Sequence, residues 1–255
     1  MYTPFTNALL LSLLVGAGLW SIPVLPLAYW WIGAVATLAV QAFLLFFALY
    51  PAGGTPVRRV TIIQALWITA GSIGLILLTE EPWLQGFIVF IAMALLLINQ
   101  YHAVRFVEVP GQRSRAVMLL TSRVVQACAV YMTTAVGLGV VVTIHESIWW
   151  VIGAIIAVVT TLMYPFLSLV ESRSHVRWLV TVMMNVAMVE LVWSLLLLPI
   201  GYTLSAIFAA VLYLVTTHLM LQETGDLPRE SRRTWIFAAI AGLIVTVVLF
   251  LVARW

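Results

Sequence analysis

Residues 176–222, VRWLVTVMMNVAMVELVWSLLLLPIGYTLSAIFAAVLYLVTTHLMLQ, decide the fold class of this chain. They form two apolar runs, 176–198 and 203–222, which meet at the turn-forming sequence Leu198-Pro199-Ile200-Gly201. A helix rises 1.5 Å per residue, so about 20 apolar residues cross the roughly 30 Å hydrocarbon core of a bilayer. The stretch therefore predicts two consecutive membrane-spanning helices.

The whole chain has the same character. Hydrophobic residues make up 64% of its 255 positions and charged residues 8%, whereas about a quarter of a soluble domain is charged. The apolar runs are continuous and do not alternate, so helices and not a β-barrel would satisfy the backbone in lipid. We predict an all-α fold, a single polytopic transmembrane helix bundle over residues 1–255. It has about nine helices, or eight if the first run, which Pro23 and Pro26 follow, does not cross fully. The predicted spans are 6–22, 27–49, 60–78, 83–104, 117–143, 148–170, 176–198, 203–222 and 234–253.

The arginines predict the orientation of the bundle. Those between spans lie only in the even-numbered loops, which follow spans two, four, six and eight. Loops rich in arginine and lysine stay in the cytoplasm, so the N-terminus is expected inside and the C-terminus outside, as in a bacterial cytoplasmic membrane. Most tryptophans fall at the predicted outer ends of spans, which is a headgroup-level position that the indole ring prefers.

Composition also excludes several classes of protein. The chain has no lysine, so it cannot form a retinal Schiff base. The single cysteine, Cys128, cannot form an internal disulfide. Membrane topology explains the positions of the arginines, so the net positive charge does not require a nucleic-acid partner. The sequence contains no phosphate-binding glycine loop and no nucleophile elbow. The polar loops are too short to fold alone, so any site must lie within or at the edge of the membrane.

A faint internal repeat is visible in the sequence. Trp30-Trp31-Ile32-Gly33-Ala34 resembles the segment 149–154, WWVIGA, at an offset of 149 − 30 = 119 residues. Two four-helix halves, 1–115 and 116–230, followed by a final helix at 231–255, would be parallel repeats about an axis along the membrane normal. The alternative is that helical hairpins carry aromatic residues outside and arginines inside whatever their origin.

Glu190 is the most informative single residue, because it lies well inside an apolar span together with Asn185. Met183, Ala187 and Ser194 share its helix face, and such small or adaptable side chains allow another helix to approach closely. An ionisable group in a membrane span is a functional hypothesis by default. Glu190 is either a proton or cation site, or a carboxyl group hydrogen-bonded to a neighbouring helix.

A second set of polar residues lies on span five. Arg123 and Gln126 fall on one face with Val130, Thr134 and Gly137, which predicts a polar seam through the helix. Arg123 either joins this seam or extends to the membrane interface, as long basic side chains do. Their predicted depths differ by roughly 10 Å, so Arg123 and Glu190 are not expected to touch.

Asn99 and His102 share a face of span four, and His218 on span eight has a comparable depth. The two histidines suggest a haem-ligand pair or an acid–base group of a lipid-acting enzyme, although polar core or interfacial residues are the simpler interpretation. The loop residues His145, Glu146, Glu80 and Glu81 lack the spacing of a metal site. We therefore assign no catalytic residue, metal or cofactor.

The C-terminal third resembles an uncharacterised family of small multi-spanning membrane proteins from candidate-phylum bacteria. The resemblance rests on Glu190, the Leu198-Pro199 turn, Tyr213 and a C-terminal helix that ends in Trp255, and it covers about the last 80 residues. It implies a bundle of eight or nine helices and carries no assigned activity or site.

Because the polar residues are scattered singly, the expected function is that of a non-enzymatic membrane subunit or scaffold. Such a protein binds membrane lipids or other membrane subunits through its helix faces. The alternatives are a small secondary transporter that uses Glu190 as its proton or cation site, and a lipid-acting enzyme or haem protein that uses His102 and His218.

Overall fold

The computed structural model describes residues 4–26, 28–49, 56–170, 173–196 and 201–223, all of which belong to helices or to the short links between them. The predicted ninth span, 234–253, lies outside these residues. Seven of the described helices are long and apolar enough to cross a membrane, and the eighth contains a shorter apolar segment. The helices are α1 (Pro4–Ser21, continued by a 3₁₀ turn at Ile22–Val24), α2 (Trp30–Ala48), α3 (Pro56–Leu78), α4 (Pro82–Glu108), α5 (Gln112–Ile144), α6 (Ile148–Leu167), α7 (Ser174–Leu196) and α8 (Tyr202–Glu223).

Proline, glycine and one left-handed residue mark the helix boundaries. Pro82 opens α4, a position where the missing N–H costs nothing because no acceptor is available there. Gly111 precedes α5, and His145 ends it with a φ of 58°. A left-handed residue at this point stops the helix and turns the chain back towards α6.

The first helix is full-length. Phe5, at its start, contacts the ring of Tyr101 near the end of α4, with a centroid distance of 6.2 Å. Trp20, at its other end, packs against Gly86 near the start of α4. With the 3₁₀ turn it forms a candidate span of 20 residues, Phe5–Val24, which is long and apolar enough to cross a membrane.

Within the described residues, the arginines that precede or follow helices gather at one end of the bundle, which we call the arginine end. There Arg115 at the start of α5 donates a hydrogen bond to the carbonyl of Leu169, just after α6, at 2.9 Å. Arg177 at the start of α7 lies over the ring of Tyr164 near the end of α6. The contact between Phe5 and Tyr101 places the start of α1 at this end too. Which side of the membrane this end faces stays a prediction.

Helix α5 is the centre of the bundle, because it packs against α3, α4, α6 and α8. It approaches α3 closely: a Cβ added at Gly71 would lie only 2.6 Å from the Cβ of Met132. Its 33 residues extend for about 50 Å, well beyond a hydrocarbon core of about 30 Å. The helix begins five residues before the predicted start at 117, so it includes Arg113 and Arg115.

Each proposed repeat half forms a ring of four helices in which every helix contacts its neighbours in the chain. Helices α1 to α4 close through contact between α1 and α4, and helices α5 to α8 close through contact between α5 and α8. An up-and-down four-helix bundle has this arrangement whatever its evolutionary origin. The internal repeat therefore stays a prediction.

Candidate functional site

Glu190 lies on the outer surface of α7. Its residue is exposed, whereas Met188, two positions earlier, is fully buried in the bundle core. Two residues correspond to about 200° of rotation around a helix, so Glu190 and Met188 point in nearly opposite directions. Met183 on the same face is 60% exposed. The carboxylate therefore points away from the described helices. Glu190 lies six residues before the last residue of α7, which corresponds to about 9 Å along the helix axis.

A groove of about 430 Å³ runs along the surface between α6 and α7 and includes Glu190. Ile156 and Thr160 form its α6 side, and Asn185, Val189 and Glu190 lie on the α7 side. We call this surface the Glu190 groove. Apart from a few polar atoms its lining is apolar, and Glu190 is the one charged residue among the described residues that line it.

Asn185 fixes the register of the two helices beneath the groove. Its side-chain amide donates to the hydroxyl of Thr160 on α6 and to the carbonyl of Thr181 on α7, both at 2.9 Å. Its Oδ1 atom is buried and accepts no hydrogen bond from the described residues. Asn185 is thus a structural link between α6 and α7 that leaves one acceptor unused.

The small residues Gly153 and Ala157 of α6, next to this groove, are uncovered. Both residues are exposed, and a Cβ added at Gly153 would meet no atom within 4 Å. On α7, Met183 and Ser194 from the Glu190 face are exposed as well, whereas Ala187 is half-buried. Among the described helices, none covers this surface.

The predicted seam on α5 is buried. Arg123 is 2% exposed, so its guanidinium lies inside the bundle and does not extend to the interface as one alternative had it. Gln126 is fully buried; its amide donates to the carbonyl of Leu162 at 3.4 Å, and its Oε1 accepts a hydrogen bond from the hydroxyl of Tyr213 at 3.0 Å. The seam therefore joins α5 to α6 and α8.

Arg123 and Glu190 are not brought together. Arg123 is inside the bundle and Glu190 is on its outer surface, in agreement with the expectation from their depths. Within the described part of the chain, no basic side chain forms an ion pair with Glu190.

Buried amides link several other helices in the same way as Gln126. Asn99 on α4 donates to the carbonyl of Thr61 on α3, Gln64 on α3 donates to that of Ser122 on α5, and Gln41 on α2 donates to that of Ala65 on α3. Such hydrogen bonds replace the hydrophobic driving force that lipid does not provide between helices. Asn99 is therefore a packing residue.

Sequence reasoning missed Gln41, Gln64 and the role of Tyr213. Thr61, Gln64 and Ser72 on α3 are separated by three and eight residues, so they share a helix face, and all three are buried. This helical spacing of polar residues was the available signal for the face of α3 that packs against α5.

His102 is half-buried and lines a separate cleft between α4 and α5 at the arginine end, together with Arg105, Arg113 and Ser114. The side chain of His218 lies outside the described residues. Its helix α8 and the His102 helix α4 both pack against α5 and share no extended contact. The haem-ligand pair stays a prediction without geometric support, and no group of three metal-ligating side chains occurs in the part of the chain that the structure describes.

Chemically, the described residues offer one exposed carboxylate within a span and a buried set of neutral hydrogen bonds around Arg123. The exposed carboxylate suits recognition of another molecule from within the membrane. An internal proton pathway for a transporter would require Glu190 to face the bundle interior, which it does not.

No family model, curated protein or solved structure matches this chain. The resemblance of its C-terminal third to a family from candidate-phylum bacteria accordingly stays a prediction. The length and composition of the helices nevertheless define the class of protein. The chain is an integral membrane protein built as an all-helical, polytopic bundle.

Proposed function

We propose that this protein is a non-enzymatic membrane subunit that binds a helix of another membrane protein in the Glu190 groove. The observation that carries the proposal is that the Glu190 carboxylate is exposed within an apolar span and points away from the described bundle. Ionisable residues in membrane spans almost always face the bundle interior, a water-filled cavity or a charged partner. Neither α6 nor α7 offers Glu190 a bundle interior or a water-filled cavity to face. A charged partner is therefore the remaining alternative.

The energetics favour association. An ionised acidic side chain near the centre of a span costs about 2.5–3.5 kcal/mol on insertion scales, and less nearer the interface. A partner that provides a positive charge removes part of this cost. The proposal therefore identifies the partner chemistry as a transmembrane helix with an arginine or lysine at the level of Glu190.

The neighbouring surface suits close approach of a helix. Gly153 and Ala157 are four residues apart on the exposed face of α6, which is the small-xxx-small spacing common at helix contacts in membranes. Asn185 is hydrogen-bonded to Thr160 on α6, and Glu190 lies five residues further along α7, or roughly 7.5 Å along the groove. Small residues on one side and a carboxylate on the other give both space and a polar contact.

A second copy of this chain is a poorer occupant. A two-fold contact through this surface would bring two Glu190 carboxylates towards each other, and like charges in a low-dielectric environment repel strongly. The predicted last span, 234–253, contains no charged residue and cannot supply the positive charge from its interior.

Photo-crosslinking in native membranes tests the proposal. A photoreactive amino acid at Val186, in the groove, is expected to give an adduct with a second membrane protein, and the adducted helix should contain an arginine or lysine. The same probe at Phe43, an exposed residue on α2, serves as the matched control and should crosslink to lipid only. The Val186 adduct should persist with Glu190→Asp and disappear with Glu190→Leu.

Three results would contradict the proposal. They are an adduct that survives Glu190→Leu, an adduct within the same chain, and equal protein adducts from Val186 and Phe43. Circular dichroism of the purified Glu190→Leu protein checks that a lost adduct does not reflect a misfolded chain.

A further inference from the structure

A second opening, distinct from the Glu190 groove, lies at the arginine end between α4 and α5. It has a volume of about 430 Å³, and it is lined by His102 and Arg105 from α4 and by Gly111, Arg113, Ser114 and Val117 from the turn and α5. We call it the α4–α5 cleft. Part of its surface is polar, unlike the apolar grooves elsewhere on the membrane-facing surface.

The charge in this cleft is positive. Arg105 comes from α4 and Arg113 from α5, and both line the cleft. Glu108, the acidic residue on the intervening segment, is exposed and is not part of the lining. The cleft therefore presents two guanidinium groups to an anion that enters between the helices.

Its two arginines are less engaged than others at the same end. Arg58 donates to the carbonyl of Phe46 at 3.1 Å and lies 3.8 Å from the centre of its ring. Arg115 donates to the carbonyl of Leu169. Arg105 makes one long hydrogen bond, 3.3 Å, to the hydroxyl of Tyr101 and lies 6.0 Å from the centre of that ring. Arg113 makes no hydrogen bond or ring contact with any residue that the structure describes. The guanidinium groups of the cleft remain available to a ligand.

The backbone adds further donors. The first N–H groups of a helix have no acceptor within the helix and carry a partial positive charge. At α5 the preceding Gly111 has no side chain that could accept from them, and the Ser114 hydroxyl instead donates to the carbonyls of Val109 and Gly111. These N–H groups belong to the same helical turn as Arg113, and a helix N-terminus is a favourable position for phosphate.

An apolar stripe leads from the cleft into the membrane. On α5, Val117, Leu120 and Val124 follow Arg113 at intervals of four, three and four residues, so they share its face. Leu120 is 49% exposed and Val124 is 45% exposed. Ile98 on α4 is exposed, and it precedes His102 by four residues and Arg105 by seven, so the three share a helix face. A ligand with its charge in the cleft would thus have an acyl-chain path directly beside it.

We propose that the α4–α5 cleft binds the headgroup phosphate of an anionic phospholipid, with an acyl chain along the stripe formed by Ile98, Leu120 and Val124. Arg105 and Arg113 hold the phosphate oxygens, because the planar guanidinium matches phosphate geometry. Basic pockets between transmembrane helices at a headgroup surface are typical sites for such lipids. This lipid site goes beyond the proposed function, since it lies on a different face and does not involve Glu190.

Native mass spectrometry of the purified, delipidated full chain tests the proposal. Phosphatidylglycerol is expected to bind at least about tenfold more tightly than phosphatidylcholine, and Arg113→Ala should reduce its affinity at least about fivefold, since hydrogen bonds to charged groups are among the strong ones. Arg113→Lys should restore part of that affinity. Arg59→Ala is the matched control, because Arg59 is also exposed at the arginine end but lies outside the cleft.

Competition separates a lipid from free phosphate. Inorganic phosphate and glycerol phosphate at millimolar concentration should not displace phosphatidylglycerol; if they do so efficiently, the cleft is a phosphate site and the lipid proposal is wrong. Equal binding of the two lipids, or equal losses with Arg59→Ala and Arg113→Ala, would also overturn it. Glu190→Leu should leave lipid binding unchanged, so the lipid site and the helix-docking function can fail separately.

Discussion

The hydrogen bond between Tyr213 and Gln126 offers the sharpest test of how this bundle is held together. Tyr213 is fully buried on α8, and its hydroxyl donates to Gln126 Oε1 at 3.0 Å, with a second, weak contact to the sulfur of Met163 at 3.8 Å. Tyr213→Phe removes the hydroxyl and leaves the ring. Gln126 Oε1 then loses its one hydrogen-bond donor among the described residues, while the Gln126 amide keeps its long bond to Leu162.

The expected cost follows from this geometry. Leaving a buried acceptor unsatisfied costs about 1–3 kcal/mol in soluble proteins. Interhelical hydrogen bonds in membranes average about 0.6 kcal/mol, with a maximum of about 1.7 kcal/mol, because the unfolded chain in the membrane also finds partners. Since this bond is fully buried and joins two helices directly, we expect Tyr213→Phe to lower the free energy of unfolding by about 1–1.5 kcal/mol.

A double-mutant cycle with Tyr213→Phe and Gln126→Leu isolates the interaction. Reversible unfolding in mixed micelles, followed by circular dichroism, gives the free energies, and we expect a coupling energy of about 1 kcal/mol. Tyr131→Phe is the control, because Tyr131 is partly buried on α5 and its hydroxyl makes no hydrogen bond to a described residue. A coupling energy below about 0.3 kcal/mol, or an equal loss with Tyr131→Phe, would refute the reasoning.

Two further predictions concern packing and orientation. Gly71→Ala should lower the free energy of unfolding by about 1–2 kcal/mol, because the added Cβ would clash with the Cβ of Met132. Gly153→Ala, in open space on α6, should be neutral or should raise the free energy of unfolding by up to about 1 kcal/mol. An equal effect at both sites would contradict the close approach of α3 and α5. Orientation can be tested by cysteine labelling in a Cys128→Ala background. Gln112→Cys is expected to react with a membrane-impermeant thiol reagent only in inside-out membranes, and Ser147→Cys only in intact cells. The opposite pattern would refute the positive-inside orientation.

Most of the helices could be predicted from the sequence, and the deviations have a physical cause. Hydropathy predicted a start at 117 for the fifth span, whereas α5 begins at Gln112. Arg113 and Arg115 lower the local hydropathy, but a helix does not have to stop at the hydrocarbon boundary. Hydropathy measures where lipid begins, and backbone hydrogen bonding decides where the helix begins.

The candidate sites were only partly predictable. The sequence identified Glu190, Arg123, Gln126 and His102 as unusual residues for a membrane span. It did not show that His102 faces a cleft with Arg105 and Arg113, because that cleft forms only when the end of α4 packs against the start of α5.

The sequence by itself determined that this chain is a polytopic helical membrane protein. It also determined that the arginines lie at one set of predicted span ends and most tryptophans at the opposite set. Lipid leaves the backbone almost no alternative to helices, so composition and run length are enough. Only the tertiary structure decided that Arg123 points into the bundle and Glu190 points out of it. The reason is that lipid tails are as apolar as leucine, so the buried and lipid-facing sides of a span have nearly the same composition. Helix packing alone determines which side each polar residue faces.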